Sequence, residues 1–156
     1  MVKAMKNSEK AVELFLQGYS CSQAVFGAFA KDLGIDESLA FKISSPFGGG
    51  FGRLREVCGA VSGMLMVFGV LYGYDTPDNG DIKKEHYAKT RELCEKFKEQ
   101  HLSIICKDIL KEKAQVGGTP DKRTEQFYQE RPCVRCVRDA AQIIEEYIEQ
   151  QKDSKL

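Results

Sequence analysis

From Val57 to Gly73 the chain reads VCGAVSGMLMVFGVLYG, without a single charged side chain. A segment this apolar must be hidden from water, either in a bilayer or at the centre of a folded protein. Its length reaches only the lower edge of a bilayer span, it has no partner span, and charged amphipathic segments flank it. The expectation is therefore a buried central helix with no membrane insertion. Gly59 with Gly63, and Gly69 with Gly73, are spaced to let a neighbouring helix approach closely.

The rest of the sequence supplies partners for that helix. Apolar residues recur at three and four spacing over Ser8–Leu16 and Ser22–Leu33, with Gly18 and Gly34 as stops and Asp36 as the next N-cap. Ser44 to Arg53 holds Pro46 and four glycines and predicts a loop. Turn residues over Tyr74–Asp81 precede a long charged helix from about Ile82, capped by Asp81 and bent near His101-Leu102-Ser103. Gly117-Gly118-Thr119-Pro120 breaks the chain again before a last helix from roughly Cys133 to Gln150. No strand alternation stands out. The predicted fold is all-α, a single-domain helical bundle over residues 1–156 around the glycine-rich central helix.

Composition narrows the function. Lysine plus arginine equals aspartate plus glutamate at 23 each, so the chain lacks the electrostatic footprint of a nucleic-acid binder. Charge interrupts the N-terminal stretch MVKAMKNSEKAVELFLQGYS, which therefore lacks the apolar core of a secretory signal, and a reducing cytoplasm is expected. In that compartment the 6 cysteines read as ligands, redox centres or core fillers rather than permanent disulfides.

Three of those cysteines stand where helices are predicted to begin: Cys21 after Gly18-Tyr19-Ser20, Cys58 before the central run, and Cys133 after Pro132. Unpaired amides and the helix dipole place positive potential there, which favours a thiolate and predicts an unusually anionic Cys58. Cys133-Val134-Arg135-Cys136 adds a C-x-x-C pair suited to dithiol chemistry or two-point metal ligation. Val137 occupies the position where c-type haem attachment requires histidine, so no haem is expected. The Gly48–Gly52 loop, with Arg53 and Arg55, could present amides and charge to an anion, although it matches neither a P-loop nor a dinucleotide fingerprint. His86, His101 and the Glu145-Glu146 pair read as solvated or capping residues.

Together, Gly18-Tyr19-Ser20-Cys21-Ser22-Gln23-Ala24-Val25, Phe47-Gly48-Gly49-Gly50, Cys58-Gly59-Ala60-Val61-Ser62-Gly63, Ser103-Ile104-Ile105-Cys106 and Cys133 with Val137-Arg138-Asp139-Ala140-Ala141 form one pattern. It resembles the C_GCAxxG_C_C family of redox-active proteins, which is similar to the non-haem part of split-Soret cytochromes. The resemblance implies a helical fold, a dimeric tendency and an iron–sulfur centre held by Cys21, Cys58, Cys106 and Cys133, leaving Cys94 and Cys136 as extras. Zinc would accept the same four thiolates. The first expectation is accordingly an electron-transfer or sensing protein with an unidentified redox partner. A second is a metal-free thiol–disulfide oxidoreductase or redox sensor, with Cys58 or Cys133 as nucleophile and Cys136 or Cys21 resolving. A third is a dimerising helical protein whose cysteines are inert core residues.

Overall fold

In the computed structural model, which describes residues 5–77 and 80–154, the ordered elements are helices. Among the described residues the one β-type feature is an isolated antiparallel bridge between Val57 and Ile105. Helix α1 (Asn7–Leu16) leads through Gly18, at φ 109°, into α2 (Cys21–Leu33). The start of α2 is fixed by a reciprocal cap. The Gln23 N–H donates to Ser20 Oγ, and the Ser20 N–H donates to the Gln23 side chain at 3.1 Å. Gly34 ends α2 in the left-handed conformation, and Asp36 then caps α3 (Glu37–Ser44) by accepting from the Leu39 amide at 3.1 Å.

The uncharged run forms α5 (Gly59–Tyr72), whose Ala60, Val61, Met64 and Val67 are fully buried. It packs most extensively on α2. A Cβ on Gly59 would lie 3.1 Å from Cys21 Cβ, and one on Gly63 would lie 2.9 Å from Ser22 O, so these two glycines set the distance between the helices. Gly69 does not share that role, because a Cβ there would meet nothing within 4 Å, and one on Gly73 would meet only its own helix at Gly69. No helix among the described residues is long and apolar enough to cross a membrane.

Helices α6 (Gly80–His101) and α9 (Cys133–Asp153) complete the core. Leu93 and Phe97 from α6 and Val137, Ala140, Ala141 and Ile144 from α9 are buried with Phe15, Phe29 and Phe68. Each large apolar side chain so placed stabilises the fold by about 1.5–3 kcal/mol. Asp81 sits inside the first turn of α6 rather than at its cap. Residues 78 and 79 of the expected turn lie outside the described residues. The bend expected near His101 is a full stop: Leu102 takes φ 68° and the helix ends. Glu145 is not simply a solvated acid. Its carboxylate accepts from the Ser8 amide at 3.2 Å and hydroxyl at 3.0 Å, tying α1 to α9.

Between α3 and α5 the predicted loop is partly helical. A 3-10 turn, Ser45–Phe47, leads into the short α4 (Gly48–Phe51), kinked by left-handed Gly49 and Gly50. Cys106–Leu110, expected as the continuation of the charged helix past its bend, is a separate short helix, α7, and α8 (Glu125–Glu130) went unread in the sequence.

Candidate functional site

The four thiols implied by the resemblance share one backbone setting. Cys21, Cys106 and Cys133 are the first residues of α2, α7 and α9, and Cys58 is the N-cap of α5. These helix starts point at one cavity of 350 Å³, lined by Cys21, Cys58, Cys106 and Cys133. Cys136, one turn further along α9, lines it as well, whereas Cys94 on α6 does not. Two backbone hydrogen bonds hold the arrangement. The Cys58 N–H donates to Ile104 O at 2.7 Å, and the Cys106 N–H donates to Glu56 O at 2.6 Å, on either side of the Val57–Ile105 bridge.

The glycine loop brings the Cys58 and Cys106 segments within reach of each other. Gly50, at φ 70°, sits so close that an added Cβ would fall 2.8 Å from both Arg55 Cα and Cys106 Cβ. Only glycine suits both the dihedral and the space.

Within the cavity the sulfurs interact in pairs. The Cys133 thiol acts on the acidity of Cys21 and the Cys136 thiol on that of Cys58, and all six cysteines are free. The pairing separates their acidities. Cys133 is lowered to about 7, first by the Cys21 thiol and then, against the cost of burial, by Arg131, Arg123 and Arg55. Cys21 is raised well above the ordinary thiol value, chiefly by Cys133 and by removal from water. Cys58 is also raised, by the Cys136 thiol and by burial, so the expected anionic Cys58 is corrected. The helix start is present, but a buried neighbour and the low-polarity surroundings outweigh it. Burial raises Cys106 too, opposed by Arg55, whose Nη1 lies 3.7 Å from the sulfur.

Four arginines line the cavity: Arg53, Arg55, Arg123 and Arg131. Asp121 accepts from Arg53 at 2.9 Å and Arg131 at 2.7 Å, and the guanidinium of Arg53, followed by that of Arg131, holds its carboxyl below the usual range. Arg123 donates to Phe15 O and Tyr19 O, each at 3.0 Å. Arg55 is 3% exposed, and its Nη2 has no hydrogen-bond partner, with Asp121 at 4.0 Å. A buried guanidinium left partly unpaired in a thiol-lined cavity favours an anionic occupant.

Soft sulfur donors, helix N-termini and excess cationic charge make this donor set chemically suited to a thiolate-held iron–sulfur centre, and zinc would accept the same thiolates. Among the described residues, however, no three or more histidine, cysteine, aspartate or glutamate side chains stand together in a ready metal-holding group.

The cationic wall had no signal in the sequence. Arg123 and Arg131 reach the cavity only through the fold, and no local motif marks them. Neither histidine is simply solvated. His101 is almost buried and bonded to Asp139 at 2.8 Å, with Nδ1 3.7 Å from the Cys136 sulfur. His86 stacks on Phe68 at 4.7 Å.

Comparison with curated proteins and with solved structures gives no match. A family model does match residues 19–147, from the turn before Cys21 through most of α9, and so spans all five cavity cysteines and most of the chain. Its description is Putative redox-active protein (C_GCAxxG_C_C), and the chain belongs to that family.

Proposed function

We propose that Cys21, Cys58, Cys106 and Cys133 hold an iron–sulfur cluster, and that the chain serves in electron transfer or redox sensing. The observation that carries this reading is the convergence of four helix-start cysteines on one arginine-lined cavity. When bound, a cluster of this kind supplies one-electron chemistry at a potential set by charge, N–H donors and exposure. The chain's own groups are suited to that task. Arg55 presents an unpaired N–H beside Cys106, α2, α5, α7 and α9 start at the thiols, and the fold keeps Cys58 and Cys106 from bulk water. Zinc in the same thiols would give a redox-inert site, which elemental analysis distinguishes.

One observation favours a second reading. Cys133, lowered to about 7 chiefly by the Cys21 thiol, has the character of a dithiol nucleophile with a partner lining the same cavity. The deciding experiment is anaerobic purification followed by an absorption spectrum with iron, sulfide and zinc analysis, repeated on Cys58→Ser. Stoichiometric iron and sulfide, lost in the variant, supports the cluster. A colourless, metal-free protein that cycles between dithiol and disulfide supports the second reading and defeats the first.

A further inference from the structure

The arginines of the cavity outnumber its acids. Four arginines line it, and Asp121 is the one acid among the described residues of its wall. Arg123 is turned elsewhere: it donates to Phe15 O and Tyr19 O and lies over the Phe15 ring at 4.4 Å. Arg53, Arg55 and Arg131 instead converge on a single atom, Asp121 Oδ2. Arg53 Nη1 reaches it at 2.9 Å and Arg131 Nη2 at 2.7 Å, but Arg55 Nη2 stops at 4.0 Å, too far for a hydrogen bond. Three guanidiniums against one carboxylate leave two positive charges unmatched, and Arg55 Nη2, on a side chain 3% exposed, finds no acceptor among the described residues. The two ends of that guanidinium have different neighbours. Nη1 is the end that meets the thiols, 3.7 Å from Cys106 Sγ, and Nη2 is the end that approaches Asp121. The unmet demand therefore lies beside the four thiols rather than on them.

The three heads are held in place before any ligand arrives. Arg53 Nε donates to Gly117 O at 2.7 Å and Arg55 Nε to Gln115 O at 2.8 Å, so one strap pins both side chains. Arg131 lies over the Phe127 ring at 4.6 Å. Arg53 and Arg55 also keep left-handed backbones, at φ 69° and 61°, a conformation disfavoured for any residue with a Cβ. The fold thus holds the pair against its backbone preference, and fixed donors lose little freedom when a ligand binds.

Guanidinium forks match the oxygens of phosphate-like anions, and two unmatched positive charges call for two negative ones. The ligand must also tolerate Asp121, which as an ionised carboxylate can only accept. An anion that carries a hydroxyl meets both demands: its bare oxygens accept from Arg55 Nη2 and its neighbours, while its O–H donates to Asp121. We propose that Arg53, Arg55, Arg131 and Asp121 form a binding site for inorganic hydrogen phosphate beside the thiols. Sulfate and the dianion of a phosphate ester carry the same charge without the hydroxyl, so each turns a bare oxygen towards Asp121 and binds less well. Asp121, its side chain 33% exposed, forms the side of the site nearest solvent.

The test uses the full chain, reduced with dithiothreitol and shown metal-free by iron and zinc analysis, so its outcome is separate from that of the cluster reading. Isothermal titration in Tris chloride at pH 8 is run with inorganic phosphate, sulfate and methyl phosphate in turn. Phosphate should bind with a dissociation constant below about 1 mM. It should bind about 10-fold more tightly than sulfate or methyl phosphate, the scale of one lost charge-assisted hydrogen bond. Asp121→Asn should remove most of that preference, because an amide donates to a bare oxygen. Arg55→Lys keeps the charge and loses the fork, and Arg131→Gln loses the charge; each should weaken phosphate by about 10-fold. Lys98→Gln, a change at an exposed lysine on α6, should leave the affinity unchanged. Circular dichroism of each variant checks the helices, and if Arg55→Lys unfolds, Arg131→Gln supplies the same readout. The proposal is overturned if phosphate binds no more tightly than about 1 mM, if sulfate or methyl phosphate binds as tightly as phosphate in wild type, or if neither arginine variant changes the affinity.

Discussion

Gly50→Ala and Gly52→Ala form a matched pair for the close approach that brings the Cys58 and Cys106 segments together. Both residues have left-handed backbones, at φ 70° and 58°. An alanine in that conformation costs about 1–2 kcal/mol. At Gly52 that is the whole effect, because a Cβ there meets nothing within 4 Å. At Gly50 the Cβ would also fall 2.8 Å from Arg55 Cα, from Glu56 N and from Cys106 Cβ. Two of those atoms are backbone and the third is fixed to it, so the contact can be relieved only by shifting the strap that carries Cys58 or the start of α7. Overpacking of this kind adds about 1–3 kcal/mol, for a total of about 2–5 kcal/mol at Gly50. Urea denaturation reads the difference as a fall in midpoint of about 1 M relative to Gly52→Ala. Gly50→Ala should also change the alkylation rate of Cys106, whereas Gly52→Ala should not. Equal midpoints and equal alkylation in the two variants would refute the close approach.

Asp121→Asn should destabilise the protein at neutral pH by about 1 kcal/mol, a modest value because the side chain is partly exposed. The carboxylate is held below its ordinary value by Arg53 and Arg131, so its contribution is present above the usual carboxylate range and is lost as pH falls through the lowered value. Denaturation midpoints of wild type and variant should accordingly converge in acid. In metal-free protein, alkylation of Cys133 should reach half its maximal rate near pH 7, and Cys21→Ser should move that midpoint towards the ordinary thiol value, because the Cys21 thiol is the main cause of the lowering. The matching stability contribution of Cys133 is present above the ordinary thiol value and lost as pH falls through about 7. Glu145→Ala should loosen the α1–α9 junction by about 1–3 kcal/mol, since it leaves the nearly buried Ser8 without its acceptor, and thermal melting reads the loss.

Features of the fold written in local chemistry were legible in the sequence. The uncharged run announced a buried helix, Gly18 and Gly34 stood where helices stop, and Asp36 stood where a cap was needed. Gly59 and Gly63 were legible as a contact surface because helical spacing puts both on one face, while Gly69 and Gly73 carried the same signal and met no neighbouring helix. Cys106 was placed in the set by resemblance, since its five-residue helix has no cap of its own and starts where the Val57–Ile105 bridge sets it. The cationic wall and the His101–Asp139 contact had no local signature. Arg123 meets Phe15 O across 108 positions, and His101 meets Asp139 across 38, so both depend on how the helices close. The acidity of Cys58 was misjudged for the same reason. Its helix start is local, but the Cys136 thiol that opposes it comes from α9.

In the proposed function four thiols from separate helix starts, and no others, hold one centre. Its most direct test is the iron and acid-labile sulfide content of anaerobically purified wild type beside single serine variants at all six cysteines. Stoichiometric iron and sulfide are expected in wild type, in Cys94→Ser and in Cys136→Ser, with loss in the variants at Cys21, Cys58, Cys106 and Cys133. Loss in Cys136→Ser with retention in Cys106→Ser would contradict the assignment of ligands, and absence of iron and sulfide from the wild type would contradict the cluster itself.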